Sequence, residues 1–143
     1  MRYMMIVKGS KLSESGVLPT EQELAAMGKY NDELQKAGVL LDMSGLKPTS
    51  KAVKVQFANG KRTVIDGPFA EAKEVIAGYW VIQVKSREEA IEWAKRIPAE
   101  AQREFSEVEL RPFYELEDFA PGAAVEAAKE LGKKLPANAG GKR

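Results

Sequence analysis

The sequence predicts an α+β fold. Its elements run strand, helix, strand, an inserted hairpin strand, then strand, helix, strand. Two βαβ-like halves around an antiparallel sheet with helices on one face make the ferredoxin-like plan, βαββαβ, here with an inserted β-hairpin strand. Three observations carry this. Thr20-Glu-Gln-Glu23 and Ser86-Arg-Glu-Glu89 are capping boxes that mark two helix starts. Asn59-Gly60 is the strongest short-range hairpin signal, because both residues of a type I′ turn need positive φ. Val75 to Val84 is substantially apolar on both faces, Tyr79, Val81 and Gln83 on one, Trp80, Ile82 and Val84 on the other, as in a central strand covered twice.

Taken in order, Arg2 to Lys8 reads as the first strand, and Gly9 to Pro19 is a loop without periodicity. Thr20 opens the first helix, with Leu24, Met27, Gly28 and Leu34 as its buried stripe and Gly38 as its left-handed stop. Asn31 falls on that stripe and needs a partner, either a local hydrogen bond or a ligand; Tyr30, one step round, is a rim residue or an amphipathic filler. Val39 to Met43 is the second strand and Ala52 to Ala58 the third. A two-residue hairpin loop pairs Ala58 with Lys61, Phe57 with Arg62, Val55 with Val64 and Val53 with Asp66. Cross-strand partners share a face, so Asp66 is expected on the apolar side of the hairpin, away from water.

Beyond the turn at Gly67-Pro68 and the doubly apolar strand, Ser86 opens the second helix, with Ala90, Trp93, Ala94 and Ile97 inward and Pro98 as its stop. Gly78 marks a bulge or a close backbone approach. Ala99 to Phe105 is polar, with room for one more helical turn. Glu107 to Arg111 is the last strand, Val108 and Leu110 inward, and Pro112 ends its pairing or places it at an edge. Residues 1–118 form the domain; 119–143 are an Ala/Gly/Lys-rich extension, partly helical over Ala123 to Leu131 or disordered.

Composition excludes much. The 143 residues are one domain's worth, with 44% apolar and 30% charged residues, ordinary for a soluble globular chain. No stretch approaches the roughly 18 apolar residues of a membrane span. The five apolar residues Tyr3 to Val7 fall short of a secretory segment of about 7–15, so the chain is read as cytoplasmic. There is no Cys and no His, which removes disulfides, thiolate nucleophiles, imidazole bases and Cys/His metal sites. No cofactor and no metal are expected, and any catalysis must use carboxylates, Lys, Tyr, Arg or backbone donors. Residues 120–143 carry five cations and two carboxylates, +3, which leaves −2 of the net +1 for residues 1–119. A mildly acidic body argues against nucleic acid as a partner.

Asp66-Gly67-Pro68-Phe69 with Glu71 and Lys73-Glu74, then Gly78-Tyr79, the Glu89, Ala90, Trp93, Ala94, Ile97, Pro98 run, and a closing Val108-Glu-Leu-Arg-Pro112 resemble the YCII-related family, in its DGPF-domain branch. The resemblance implies a dimeric α/β-barrel, in which two ferredoxin-like subunits press their sheets together. It also implies relatives that act on small aromatic compounds or accompany extracytoplasmic-function sigma factors. YCII-type relatives are thought to use a His paired with an Asp; this chain has no His, so no mechanism carries over.

Two readings of function remain open, and neither settles whether the chain is an enzyme. In the first, it binds a small, aromatic or anionic molecule in a pocket near the DGPF turn. Asp66 then acts as a desolvated base or anchor, Tyr79 as hydroxyl donor, Arg111 or Lys73 as anion holder, and Asn31, Tyr30 and Glu71 as further wall residues. On the bland side, Asp66 caps its own turn, and Glu71 and Lys73 are a solvated rim. In the second, the chain is a non-catalytic regulatory partner, a sigma-factor accessory. A homodimer is expected in either case, because the second apolar face of the strand around Tyr79 to Val84 needs a cover.

Overall fold

The computed structural model describes residues 1–69, 75–98 and 107–136. Along them run β1 (Arg2–Lys8), α1 (Lys11–Glu14), α2 (Glu21–Lys36), β2 (Leu40–Gly45), β3 (Val53–Ala58), β4 (Lys61–Asp66), β5 (Ile76–Gln83), α3 (Arg87–Lys95), β6 (Val108–Pro112) and α4 (Ala123–Lys134). The main sheet has the order β2-β5-β1-β6, every neighbouring pair antiparallel. Each half therefore has its two strands split by a strand of the other half, which is the ferredoxin-like topology. β3 and β4 form a separate two-stranded sheet.

The core lies between the main sheet and the helices. Tyr3 and Met5 of β1 stand opposite Ile82 and Trp80 of β5, so the four share the helix-facing side. Tyr30 and Leu34 of α2 and Ala90, Trp93 and Ile97 in and after α3 close over them, and Val108 and Leu110 of edge strand β6 pack at the margin. At the start of α2 the Thr20 hydroxyl accepts the Glu23 N–H (3.2 Å), while the Glu23 carboxylate accepts the Thr20 N–H (3.3 Å). Gly38 ends that helix at φ +74°.

The structure differs from the sequence reading at several points, each with a local cause. The buried stripe of α2 is Glu23, Tyr30 and Leu34; Leu24 and Gly28 are exposed. The stripe is turned because Tyr30 seats against Trp80, edge-on at 5.5 Å and 84°. In the second capping box only half forms: the Ser86 hydroxyl accepts the Glu89 N–H, but the Glu89 carboxylate accepts from Lys85. Within the expected loop 9–19, Ser10 and Ser13 cap each other and nucleate the single turn of α1. α4 continues through Gly132, the expected stop. Residues 99–105 lie outside the described residues.

The hairpin shows the predicted register, Val53 opposite Asp66, Val55 opposite Val64, Phe57 opposite Arg62 and Ala58 opposite Lys61. Asn59 and Gly60 both have positive φ, +50° and +74°. Yet every residue of β3 and β4 is exposed, Asp66 included. The hairpin stands apart from the main sheet, so its alternation has no core to face. Conversely, Ile6 and Val81 on the sheet's second face are only 7% and 6% exposed in the single chain. They sit on the two central strands, flanked on both sides. On the hairpin, by contrast, Val53, Val55, Phe57, Val64 and Ile65 are all exposed.

Removing the cap by Thr20→Ala is expected to lower unfolding free energy by about 1 kcal/mol, and Leu34→Ala, at a fully buried position, by about 2–5 kcal/mol. Urea denaturation followed by circular dichroism measures both; a Leu34→Ala protein as stable as the parent would contradict the packing of α2.

Candidate functional site

The C-terminal half of α2 is seated in the core, whereas its N-terminal half bridges a cavity of about 360 Å³. Pro19, Glu23, Leu24, Met27 and Asn31 form the roof; Val7 of β1, Met43 to Gly45 of β2 and Ala77 to Trp80 of β5 form the floor and sides. Gly78 lies opposite Val7 and two residues before Trp80, on the helix-facing side, and puts no side chain there. A Cβ at Gly78 would lie 3.0 Å from the Ser44 carbonyl oxygen and 3.4 Å from Gly45 Cα. Glycine is needed for β2 to come this close, and the Leu46 N–H then donates to the Ala77 carbonyl at 2.8 Å.

The wall is mostly apolar, and its polar groups are oriented. The Trp80 indole N–H donates to Asn31 Oδ1 at 2.7 Å. Indole only donates, so the amide oxygen must face it, and the Asn31 NH₂ is left as a donor at the cavity wall. The Glu23 carboxylate is held at the helix N-terminus by its bond from Thr20.

The residues singled out in the sequence are dispersed. Asn31 and Tyr79 contribute to the cavity wall. The Tyr79 hydroxyl is drawn to Asp42 Oδ2 (3.3 Å), on the sheet's second face. Tyr30 is not at the cavity: it is a core residue whose hydroxyl donates to the Trp93 carbonyl at 2.7 Å, and burial keeps that hydroxyl protonated far above the usual tyrosine range. Arg111, on β6 opposite Met4, reaches Glu109 (3.4 Å), as does Lys8 (3.4 Å). Lys8, then Arg111, hold the Glu109 carboxyl below its ordinary range. Asp66 lies in water at the base of the hairpin. Glu71 and Lys73 lie outside the described residues.

The DGPF turn is anchored by residues that carried no sequence signal. The Gly67 N–H donates to the Ala52 carbonyl (2.9 Å) and the Phe69 N–H to Thr49 Oγ1 (3.1 Å), so among the described residues Thr49 caps the turn. Glu14 of α1 accepts from both the N–H and the hydroxyl of Thr49. A Cβ at Gly67 would overlap the Thr49 carbonyl oxygen, which explains that glycine. Leu24, Met27 and Met43 at the cavity were also missed as site residues, since apolar side chains at helix and strand spacing read as core.

Among the described residues no group of three or more His, Cys, Asp or Glu is arranged to hold a metal ion. Nor is any helix among them long and apolar enough to cross a membrane.

Fold and cavity together define a small ferredoxin-like domain with an apolar pocket between its first long helix and its sheet. The model of the YCII-related domain matches residues 1–114, and the chain belongs to that family. An uncharacterised protein of Rhizobium meliloti (strain 1021) is 35% identical over 77 residues, 54% of this chain; the match spans 61% of that protein's length. Among solved structures, a 5-chloro-2-hydroxyhydroquinone dehydrochlorinase from Burkholderia phenoliruptrix AC1100, in complex with 2,5-dihydroxybenzoquinone, aligns over 84% of this chain and 100% of its own, with 11% identity and a TM-score of 0.47.

Replacing Asn31 with Leu keeps the volume but leaves the buried Trp80 N–H without an acceptor. A stability loss of about 1–3 kcal/mol is expected, together with a change in tryptophan emission. Unchanged emission and unchanged stability would show that the bond does not form.

Proposed function

We propose that this chain binds a small, flat, largely apolar organic molecule in the cavity under α2, with the Asn31 NH₂ donating to an oxygen of the ligand. The observation that carries this is the wall itself: Val7, Leu24, Met27, Met43 and Trp80 line the cavity beside Asn31, whose oxygen is taken by the indole and whose NH₂ is left to donate. A volume of about 360 Å³ holds on the order of a dozen waters and falls at the small end of ligand pockets. It suits a single ring with its substituents. Among the described residues no Lys or Arg lines it, so a neutral aromatic fits better than an anion, and Arg111 is engaged with Glu109 instead. Asp66, exposed on β4, is not placed to act as a base at the cavity, so the role supported is binding.

The chain is further assigned to the DGPF branch, on its Asp66-Gly67-Pro68-Phe69 turn. The family match ending at residue 114 supports a ligand-binding domain at residues 1–118, with 119–143 as an appended extension. A homodimer is the assembly proposed, supported by the uncovered apolar side chains of the hairpin.

Neutral hydroxylated benzenes are expected to raise the melting temperature in a saturable way, by several degrees near 100-fold excess over Kd, where binding adds about 2.7 kcal/mol. Met27→Trp, which fills the cavity from its roof, is expected to abolish that shift while the variant still melts cooperatively. No shift with any such probe, or an equal shift in Met27→Trp, would refute binding at this place.

A further inference from the structure

The cap at the start of α2 is buried more deeply than capping requires. Glu23, 7% exposed, is the one buried polar or charged residue among those described, and it lines the cavity. The bond it accepts from the Thr20 N–H, 3.3 Å, needs no burial to form: elsewhere in the chain the exposed Asp118 carboxylate accepts the Glu115 N–H in the same reciprocal arrangement at 2.7 Å. Sinking a carboxylate into a largely apolar wall costs free energy unless hydrogen-bond donors meet it. The helix start alone therefore does not account for where Glu23 lies. Asn31, on the same helix, offers its NH₂ at the wall; Glu23 offers the complementary group, since a carboxylate accepts and does not donate. The two are eight residues apart, about 12 Å along the helix axis, a separation met by polar groups at opposite ends of a ring rather than on neighbouring carbons.

We propose that Glu23 is the specificity-determining acceptor of the cavity: a bound ring donates an O–H or N–H to its carboxylate at one end and accepts from the Asn31 NH₂ at the other. This rests on the binding under α2 proposed above and narrows it from apolar rings in general to rings that carry a hydrogen-bond donor. A carboxylate has about four acceptor positions, so the ligand's hydrogen joins the Thr20 bond and does not displace it. A methyl group in the same place leaves the buried carboxylate facing carbon, the costly arrangement. Glu23 is also the one charged residue among the described lining residues, so a ring acid would meet a like charge with no cation beside it there.

Isothermal titration calorimetry of the full chain with 4-methoxyphenol and 4-methylanisole tests it. The two probes share the ring and the methoxy oxygen for Asn31 and differ by a hydroxyl against a methyl. The wild-type chain is expected to bind the phenol about tenfold tighter or more, the weight of one hydrogen bond to a charged acceptor. Glu23→Gln keeps the capping box, which takes Gln as well as Glu, and removes the charge; the preference is expected to shrink about threefold or more, with circular dichroism confirming the fold. Equal binding of the two probes by the wild-type chain, a comparison that needs no variant, or an undiminished preference in Glu23→Gln overturns the role of Glu23 and leaves binding under α2 in place. Failure of both probes to bind overturns both.

Discussion

Burial of Trp80 under the first long helix is the constraint on which the rest of this structure depends. The indole stands on a central strand, meets the Tyr30 ring edge-on and donates its N–H to Asn31. Tyr30 in turn donates to the Trp93 carbonyl on the second helix. Two short hydrogen bonds and one aromatic contact thus tie the sheet to both helices of the core. A buried donor left unpaired costs more than a bond gains, so Asn31 and the Trp93 carbonyl are as necessary to the packing as the rings.

The same residue makes the cavity possible. Trp80 and Tyr30 fill the space beneath the C-terminal half of α2, and toward its N-terminus the floor passes to Gly78, which has no side chain to continue that filling. The gap is therefore a consequence of where bulk stops along one strand. The Asn31 amide is fixed at its oxygen by the indole. Preorganisation of this kind lets a single polar group set a ligand's orientation in an otherwise apolar site.

Around this centre the conspicuous DGPF segment has a quieter place. Its turn is held by Thr49 and Glu14, and its aspartate is in water at the foot of the projecting hairpin. The element order, both helix starts, the hairpin register and the inward set Trp80, Ile82 and Val84 were legible, because periods of two and 3.6, caps and glycine turns are local properties of the chain. The turned stripe of α2 was not, since Tyr30 is drawn inward by an aromatic partner fifty residues away. Asn31 was marked as needing a partner, but nothing in its neighbourhood named Trp80.

By itself the sequence determined what each segment becomes, which residues cannot be ligands or nucleophiles for want of Cys and His, and, through the asparagine-glycine turn, which residues of the hairpin stand opposite one another. Those depend on backbone preference and composition. Only the tertiary structure decided which face of each element meets another, that the hairpin's apolar side is exposed, and that Asn31 lines a cavity while Tyr30, Asp66 and Arg111 are not among its described lining residues. Such outcomes turn on contacts between segments far apart in the chain, and no local pattern encodes the distance at which two elements come to rest.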